Sequence, residues 1–341
     1  MAGPMNPLPT SADDPRLRGW YHTIELAPGI TTSDAVYDLR PIASRSGLPE
    51  SLVGKTVLDV GTADGFWAFE MERRGADRVV AFDIARMGES NVLPRYRATL
   101  PDWWATSENY CAERFWTAHA MRQSRVEYRT GSVYDLSPET IGTFDLVYCG
   151  SLLVHLFNPL EALIAIRSVT RAMAVIEACS TDPAYNPVDE AFPDQPLMKF
   201  GSLDGDGGEP GRQCMYWYFT EKALYDMLVY AGFGAVEPRG QYRITGPGGG
   251  NCPVVSAVAH VGQGACPSAE GPVSTTGYVR LKAELEDARA EIAALKTRLH
   301  PFEGLGARSV GTARRLQRIS GRFPRIASAV RKVAGRKSAG D

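Results

Sequence analysis

Lys55-Thr-Val-Leu-Asp-Val-Gly-Thr-Ala-Asp-Gly-Phe-Trp67 reads as an apolar strand ending in a carboxylate, a glycine-bearing turn and the start of a helix. Some twenty residues on, Arg78-Val-Val-Ala-Phe-Asp83 repeats the pattern of a strand with an acidic tip. A strand–turn–helix–strand unit of this kind carries a nucleoside-bearing cofactor at the carboxyl ends of a parallel sheet. The glycines narrow the choice of cofactor. A dinucleotide site wants G-x-G-x-x-G, so that the backbone can approach a pyrophosphate. Here the turn is Gly61-Thr-Ala-Asp-Gly65, with Ala63 in place of the middle glycine and no third glycine at the required spacing. A nucleoside without phosphate tolerates that turn. S-adenosylmethionine (SAM), an adenosine bearing a charged amino-acid arm, is such a nucleoside.

Working outward, apolar runs predict further strands near 126–129, 145–149 and 173–178, and a closing pair near 234–238 and 253–261. Helices are expected near 66–75, 108–122, 159–169 and 220–231, the last with Thr220 as N-cap and a stop at Ala231-Gly232. Strands alternating with helices give an α/β fold, a doubly wound, mostly parallel seven-stranded sheet closed by a reversed hairpin. Residues 1–19 are Pro-rich and expected to be disordered, and 20–262 form the domain, with 20–50 as an aromatic cover over the cofactor mouth. Residues 84–107 and 180–219 are too long for simple connections and read as lids or binding loops near the carboxyl-end face, with disorder as the alternative.

Composition divides the chain. Before Gly304 there are 27 basic and 38 acidic residues; after it there are ten basic residues and only the terminal Asp341. A body this acidic is a poor generic nucleic-acid binder. After a linker at 263–277, Tyr278, Leu281, Leu285, Ala288, Ile292, Leu295 and Leu299 alternate at spacings of three and four, a short coiled coil over 278–300 that would self-associate through 278–299, with a lone amphipathic helix docked on the domain as the alternative. The tail, 301–341, is basic and amphipathic. Its 305–337 stretch suits an anionic membrane surface, with a weak RNA grip or a merely solvated tail as the competing readings. Six scattered cysteines (111, 149, 179, 214, 252, 266) without C-x-x-C read as reduced thiols of a cytoplasmic protein, not a metal site. The tail would allow a peripheral place at the inner membrane face. The N-terminus has no signal-peptide core, and no apolar run is long enough to span a bilayer.

Taken together, V-L-D-V-G-T-A-D-G at 57–65, Phe82-Asp83, Gly131-Ser-Val-Tyr-Asp-Leu136 and Phe144-Asp-Leu-Val-Tyr-Cys-Gly-Ser-Leu-Leu-Val-His-Leu156 resemble the class I SAM-dependent methyltransferases over residues 20–262. Within them, Trp20-Tyr-His-Thr-Ile-Glu-Leu26 and the run from Gly150 to Pro159 resemble the branch related to tRNA wobble-uridine carboxymethyltransferases. That branch holds a carboxylated SAM with a tyrosine just before the fourth-motif histidine and an upstream lysine. Here Val154 precedes His155 and the upstream segment is Val36-Tyr-Asp-Leu-Arg40, so plain methyl transfer is expected.

What SAM presents assigns the candidates. Its ammonium calls for Asp59 and the carbonyl of Gly61, with Thr62, Asp64 and Gly65 completing the turn; Asp64 reads equally as an N-cap. Its ribose diol calls for Asp83. Ile84 and Val133 offer an apolar slot for adenine, Ser132 a polar edge, and Gly150 lets the fourth strand approach the methionine arm. His155 is the candidate base, because a hydroxyl nucleophile benefits from a base near neutral pKa, although a lone histidine often only orients a loop. His22, Arg40, Glu177 and Trp217 are candidates for substrate contact or closure. The expected reaction is O-methylation of a small polar or saccharide acceptor. A tRNA-modifying enzyme and a non-catalytic SAM-binding scaffold are the alternatives.

Overall fold

The computed structural model describes residues 3–181, 195–201 and 215–262, which all belong to one compact unit. The linker, coiled coil and basic tail expected after 262, with the self-association and membrane surfaces assigned to them, lie outside the described residues.

In chain order the strands and helices are β1 (Glu25–Ala27), β2 (Ile30–Thr31), β3 (Thr56–Val60), α1 (Phe66–Arg73), β4 (Arg78–Asp83), α2 (Pro94–Arg97), α3 (Ala112–Arg122), β5 (Glu127–Thr130), α4 (Pro138–Ile141), β6 (Phe144–Gly150), α5 (Pro159–Val169), β7 (Thr170–Cys179), β8 (Met198–Phe200), β9 (Trp217–Phe219), α6 (Glu221–Tyr230), β10 (Ala235–Thr245) and β11 (Asn251–His260). The seven-stranded sheet has the order β10-β11-β7-β6-β3-β4-β5. β5, β4, β3, β6 and β7 are parallel, and β11 runs antiparallel between β7 and β10. This is the expected Rossmann-like methyltransferase sheet with its reversed hairpin.

Strict alternation along the central strands builds two cores. Val57, Val79, Ala81, Leu146, Tyr148 and Val175 face α1, α3 and the N-terminal segment. Leu58, Val60, Val80, Val147, Cys149 and Ile176 face α5 and α6. Strands buried on both faces must be apolar throughout, which is why they read as continuous runs. By the same parity Asp59 and Glu177 are carried to the α1 side. The helix starts follow from local chemistry. The Asn158 side chain accepts from Glu161 N ahead of Pro159, and Thr220 accepts from Ala223 N at 3.2 Å, as its sequence position predicts.

Three segments differ from the sequence reading. Residues 3–19 are not the disordered leader expected over 1–19. Met5 N donates to Thr117 Oγ1 at 2.9 Å, and Leu17 and Trp20 are fully buried. Burying a leucine offsets its ordering by about 1.5–3 kcal/mol, which a Pro-rich composition conceals. β10 continues to Thr245, past the expected end at 238, with a register shift between Pro238 and Gly240. As an edge strand it tolerates the proline and keeps an exposed, polar face. The helix expected from 108 starts at Ala112, because the Asn109 side chain accepts from Cys111 N and holds a turn there.

The N-terminal segment straps across the carboxyl ends of the strands. Tyr37 N donates to Tyr21 O, Thr23 N to Tyr37 O, and Asp38 N to Thr245 O. Close approach explains the run Gly246-Pro-Gly-Gly-Gly250: a Cβ on Gly250 would lie 2.0 Å from Val36 O. Residues 84–107 form a second cover, made of two short 3-10 turns (Met87–Glu89 and Asp102–Thr106) around α2. Arg97 braces it by donating to the carbonyls of Gly88 and Ser90 and lying over the Trp104 ring.

Candidate active site

A cavity of about 380 Å³ opens at the carboxyl ends of β3, β4 and β6. Gly61, Asp83, Ile84, Ser132, Val133, Gly150 and His155, all candidates from sequence, line it together. The turn after β3 is tight: Gly61 has φ +77°, and Ala63 takes φ +50°, where a side chain is rarely found. Its amides are directed by the next strand's carboxylate. Asp83 Oδ2 accepts from Ala63 N at 2.9 Å and Oδ1 from Ile84 N at 2.8 Å. Burial raises the Asp83 pKa to about 6, and those two amides oppose the rise.

The remaining candidates lie outside the wall. Asp59 is buried beneath the turn, where Oδ2 accepts from Thr62 Oγ1 at 2.7 Å and Ala68 N at 3.1 Å. It thereby ties the turn to the first turn of α1. Burial lifts its pKa to about 7, against the Thr62 hydrogen bond and the nearby His22. Thr62 is spent on Asp59. Gly65, at φ +95°, packs on Phe69 and Phe115 at the start of α1.

Asp64 and His22, assigned separately from sequence, are partners. Asp64 is fully buried; its Oδ1 lies 2.5 Å from His22 Nδ1, and its Oδ2 accepts from His22 N at 2.8 Å. Asp64 therefore neither caps α1 nor lines the cavity; it clamps the N-terminal strap to the turn. Arg40 points elsewhere, pairing with Asp38 at 2.7 Å. Glu177 is buried, accepting from Tyr148 OH at 2.6 Å and from Tyr242 OH, and burial raises its pKa to about 7. Trp217 Nε1 donates to Leu156 O at 3.0 Å, bracing the floor from behind. Arg40, Glu177 and Trp217 do not meet in the cavity.

Sequence reasoning missed the roof. Met87, Asn91, Tyr96, Leu100 and Trp104 of the 84–107 segment line the cavity, and Tyr21 lines it from the strap. The length of 84–107 signalled a binding loop, but not which residues face inward. Asn91 clasps roof to floor. Its Oδ1 accepts from Tyr134 OH at 2.8 Å and Phe157 N at 2.7 Å, and its carbonyl accepts from Tyr216 OH at 2.8 Å. His155 closes the short turn Leu153–His155 that follows β6, its amide donating to Leu152 O.

The donor set tests which cofactor fits. Among the described residues the wall carries no lysine or arginine, and its acids are Asp83 and Glu89. A diphosphate would find no cation there, whereas a cationic nucleoside meets no repulsion. Asp83 accepts from two backbone amides and from the Asn109 side chain, and the carboxylate keeps lone-pair capacity for a ribose hydroxyl. Ile84 and Val133 are both on the wall to flank a purine. At Gly150 a Cβ would come within 2.9 Å of Tyr148 and 3.5 Å of Trp67 Nε1, so only glycine leaves that approach open. The residues fit SAM. Cys111, Cys149, Cys179 and Cys252 are buried and free, and no cluster able to hold a metal ion occurs among the described residues. No described helix is long and apolar enough to cross a membrane.

Fold and cavity define the class: a SAM-dependent methyltransferase domain. A family model described as a methyltransferase domain matches residues 37–237, more than half the chain, and the chain belongs to that family. The cofactor is SAM. The chain is 32% identical over 122 residues to the ubiquinone biosynthesis O-methyltransferase of Acinetobacter baylyi, covering 35% of this chain and 41% of that protein. It is 31% identical over 131 residues to the protein of the same name from Xanthomonas campestris pv. campestris, covering 38% and 43%. It thus spans less than half the length of these curated relatives. Among solved structures it is similar to the N-terminal domain of EvdMO1 in the presence of S-adenosylhomocysteine (SAH) and D-fucose, at 18% identity and TM-score 0.45, covering 72% of this chain and 92% of that one. The 1,6-didemethyltoxoflavin-N1-methyltransferase of Burkholderia thailandensis overlaps at 19% identity and TM-score 0.38, covering 65% and 79%. At that identity and overlap the likeness is one of fold outline alone.

Proposed function

We propose that this chain methylates a hydroxyl oxygen of a small polar acceptor, such as a saccharide or a natural product of similar size. The observation that carries the reading is one cavity lined by both Asp83 and His155, under a roof the chain supplies itself. The O-methyltransferase names of the curated relatives agree with it. So does the roof, where the aromatic Tyr96 and Trp104 accompany the polar Glu89, Ser90 and Asn91, a mixture suited to a sugar-sized ring.

The chemistry available from bound SAM is an in-line displacement at the sulfonium methyl carbon, with SAH as the product. In this reading Asp83 holds the ribose diol, Ile84, Ser132 and Val133 seat the adenine, and Gly61 and Gly150 admit the methionine arm. Asp59, Thr62, Asp64 and Gly65 act from beneath by fixing the turn. His155 takes the proton of the acceptor hydroxyl on a ring nitrogen, and the roof excludes water and orients the acceptor. The resemblance to the wobble-uridine branch rests on two segments. The absence of lysine and arginine from the described wall gives a polyanionic acceptor no support there. Segments 278–299 and 305–337 enter no step of this reading.

The test is SAH release by the purified chain over a panel of methyl glycosides, nucleotide sugars and phenolic compounds, with a 14-Da gain on the product. His155→Gln should lower kcat by about 10²–10⁴-fold and leave SAH affinity unchanged. A chain that binds neither SAM nor SAH, yet binds NAD, would overturn the reading.

A further inference from the structure

A SAM site must satisfy the carboxylate of the amino-acid arm, and among the described residues this wall supplies no cation for it. A neutral donor has to take that place, so the hydroxyls on the wall are the groups to compare. Tyr134 is committed: its hydroxyl accepts from Asn158 N and donates to Asn91. Ser151 hydrogen-bonds Cys179, and Tyr110 is engaged with Cys111. Ser90 donates to Met87 O, and Ser132 Oγ accepts from Tyr134 N. Tyr21 differs. Among the described residues its hydroxyl has no hydrogen-bond partner, while its ring packs edge-on against His22 at 4.7 Å and Tyr37 at 5.4 Å.

Tyr21 is also held from both sides. Trp20 is fully buried, with Nε1 donating to Arg16 O at 2.9 Å. His22 is gripped twice by Asp64 of the glycine turn. Tyr37 N donates to Tyr21 O, which fixes the backbone between them. The ring is therefore placed on the cavity wall before any ligand arrives, so little ordering entropy is lost on binding. Burial and the neighbouring Tyr37 hold the phenol well above its usual pKa, so it remains a proton donor.

Resting on the SAM reading of this cavity, we infer that the Tyr21 hydroxyl donates a hydrogen bond to the carboxylate of the cofactor's amino-acid arm, which makes the N-terminal strap a part of the binding site. The buried His22–Asp64 pair is the clamp that sets this donor. Tyr21 is thus a binding residue, and His22 and Asp64 are positioning residues behind it.

Two ligands separate this role from mere packing. SAH carries the amino-acid arm; 5′-methylthioadenosine keeps the adenosine and the sulfur but lacks the arm. Titration calorimetry with Tyr21→Phe should show SAH binding weakened about 10–100-fold, the range for a hydrogen bond to a charged group, with 5′-methylthioadenosine affinity within about threefold of wild type. Equal losses for both ligands, or no loss for either, would overturn the inference. A wild-type chain that binds neither ligand would instead overturn the SAM reading on which it rests. Asp64→Asn, with hydrogen exchange read over residues 20–24, should loosen the strap and weaken SAH more than 5′-methylthioadenosine; unchanged exchange and affinity would refute the clamp.

Discussion

Replacing Asp83 with asparagine is the sharpest perturbation of the cofactor site. The carboxylate now accepts from Ala63 N and Ile84 N through different oxygens. Asparagine keeps one acceptor and turns an NH₂ toward the other amide, so one of the two bonds is lost at a cost of about 1–3 kcal/mol in a buried setting. It also halves the acceptor capacity offered to the ribose diol and removes the charge. A hydrogen bond to a charged group contributes roughly 1.5–3 kcal/mol, so SAH affinity should fall by about 10–100-fold. Calorimetry with SAH, adenosine and 2′-deoxyadenosine checks this. Wild type should favour adenosine over the deoxynucleoside, and Asp83→Asn should abolish that preference while weakening SAH and 5′-methylthioadenosine together. The last result distinguishes it from Tyr21→Phe, which should affect only the ligand with the arm. If Asp83→Asn binds SAH within about threefold of wild type, the assignment of this carboxylate to the diol is refuted.

Three further outcomes follow from the same geometry. Asp59, Asp83 and Glu177 have pKa values raised by burial to about 7, 6 and 7. For an acid raised in the folded state, stability is fully present below the unfolded pKa and is lost as pH rises through the folded one. The ligand-free melting temperature should therefore fall between pH 5 and pH 8; a rise across that window refutes the environments assigned to these groups. Asn91→Leu removes the acceptor for Tyr134 OH and Phe157 N, and should speed amide exchange over 84–107 and SAH dissociation by about tenfold, while Asn91→Asp keeps an acceptor for both donors and should behave near wild type. Loss of both Glu177 hydrogen bonds in Glu177→Leu should lower the melting temperature without changing the ratio of SAH to 5′-methylthioadenosine affinity, because Glu177 braces Tyr148 and Tyr242 away from the cavity wall.

The central sheet was legible because its strands are buried on both faces, so Val79–Phe82 and Leu146–Cys149 read as unbroken apolar runs and Val57–Val60 as a run broken by the buried Asp59, with Gly61, Asp83 and Gly150 following. β10 was legible only in its first residues, since an edge strand with an exposed face has no such run. Asp83, Ile84, Ser132, Val133, Gly150 and His155 could be placed because each sits at a strand tip, and strand tips share one end of a parallel sheet. The polar pairs could not. His22 meets Asp64 from 42 residues away, Glu177 meets Tyr242 from 65, and Tyr216 meets Asn91 from 125. No local pattern encodes a partner at that separation, so Asp64 read as a turn residue and Glu177 as an open strand tip.

The family match begins at residue 37, yet the site begins earlier. Asp64 lies in the glycine turn with no exposure, and a buried carboxylate left without a partner costs several kcal/mol. Its partner, His22, lies before the matched region, as do Tyr21 on the cavity wall and the buried Trp20. The matched region alone would therefore keep the strand tips proposed to hold the nucleoside, but it would leave Asp64 unpaired and remove the donor inferred for the amino-acid arm. Strap and turn depend on each other: the turn fixes His22, and His22 makes an aspartate tolerable where the turn would otherwise take a small or neutral residue. On the reading proposed above, the same two hydrogen bonds serve both structure and binding, and cutting the chain at the edge of the family match should cost arm recognition before it costs the fold of the sheet.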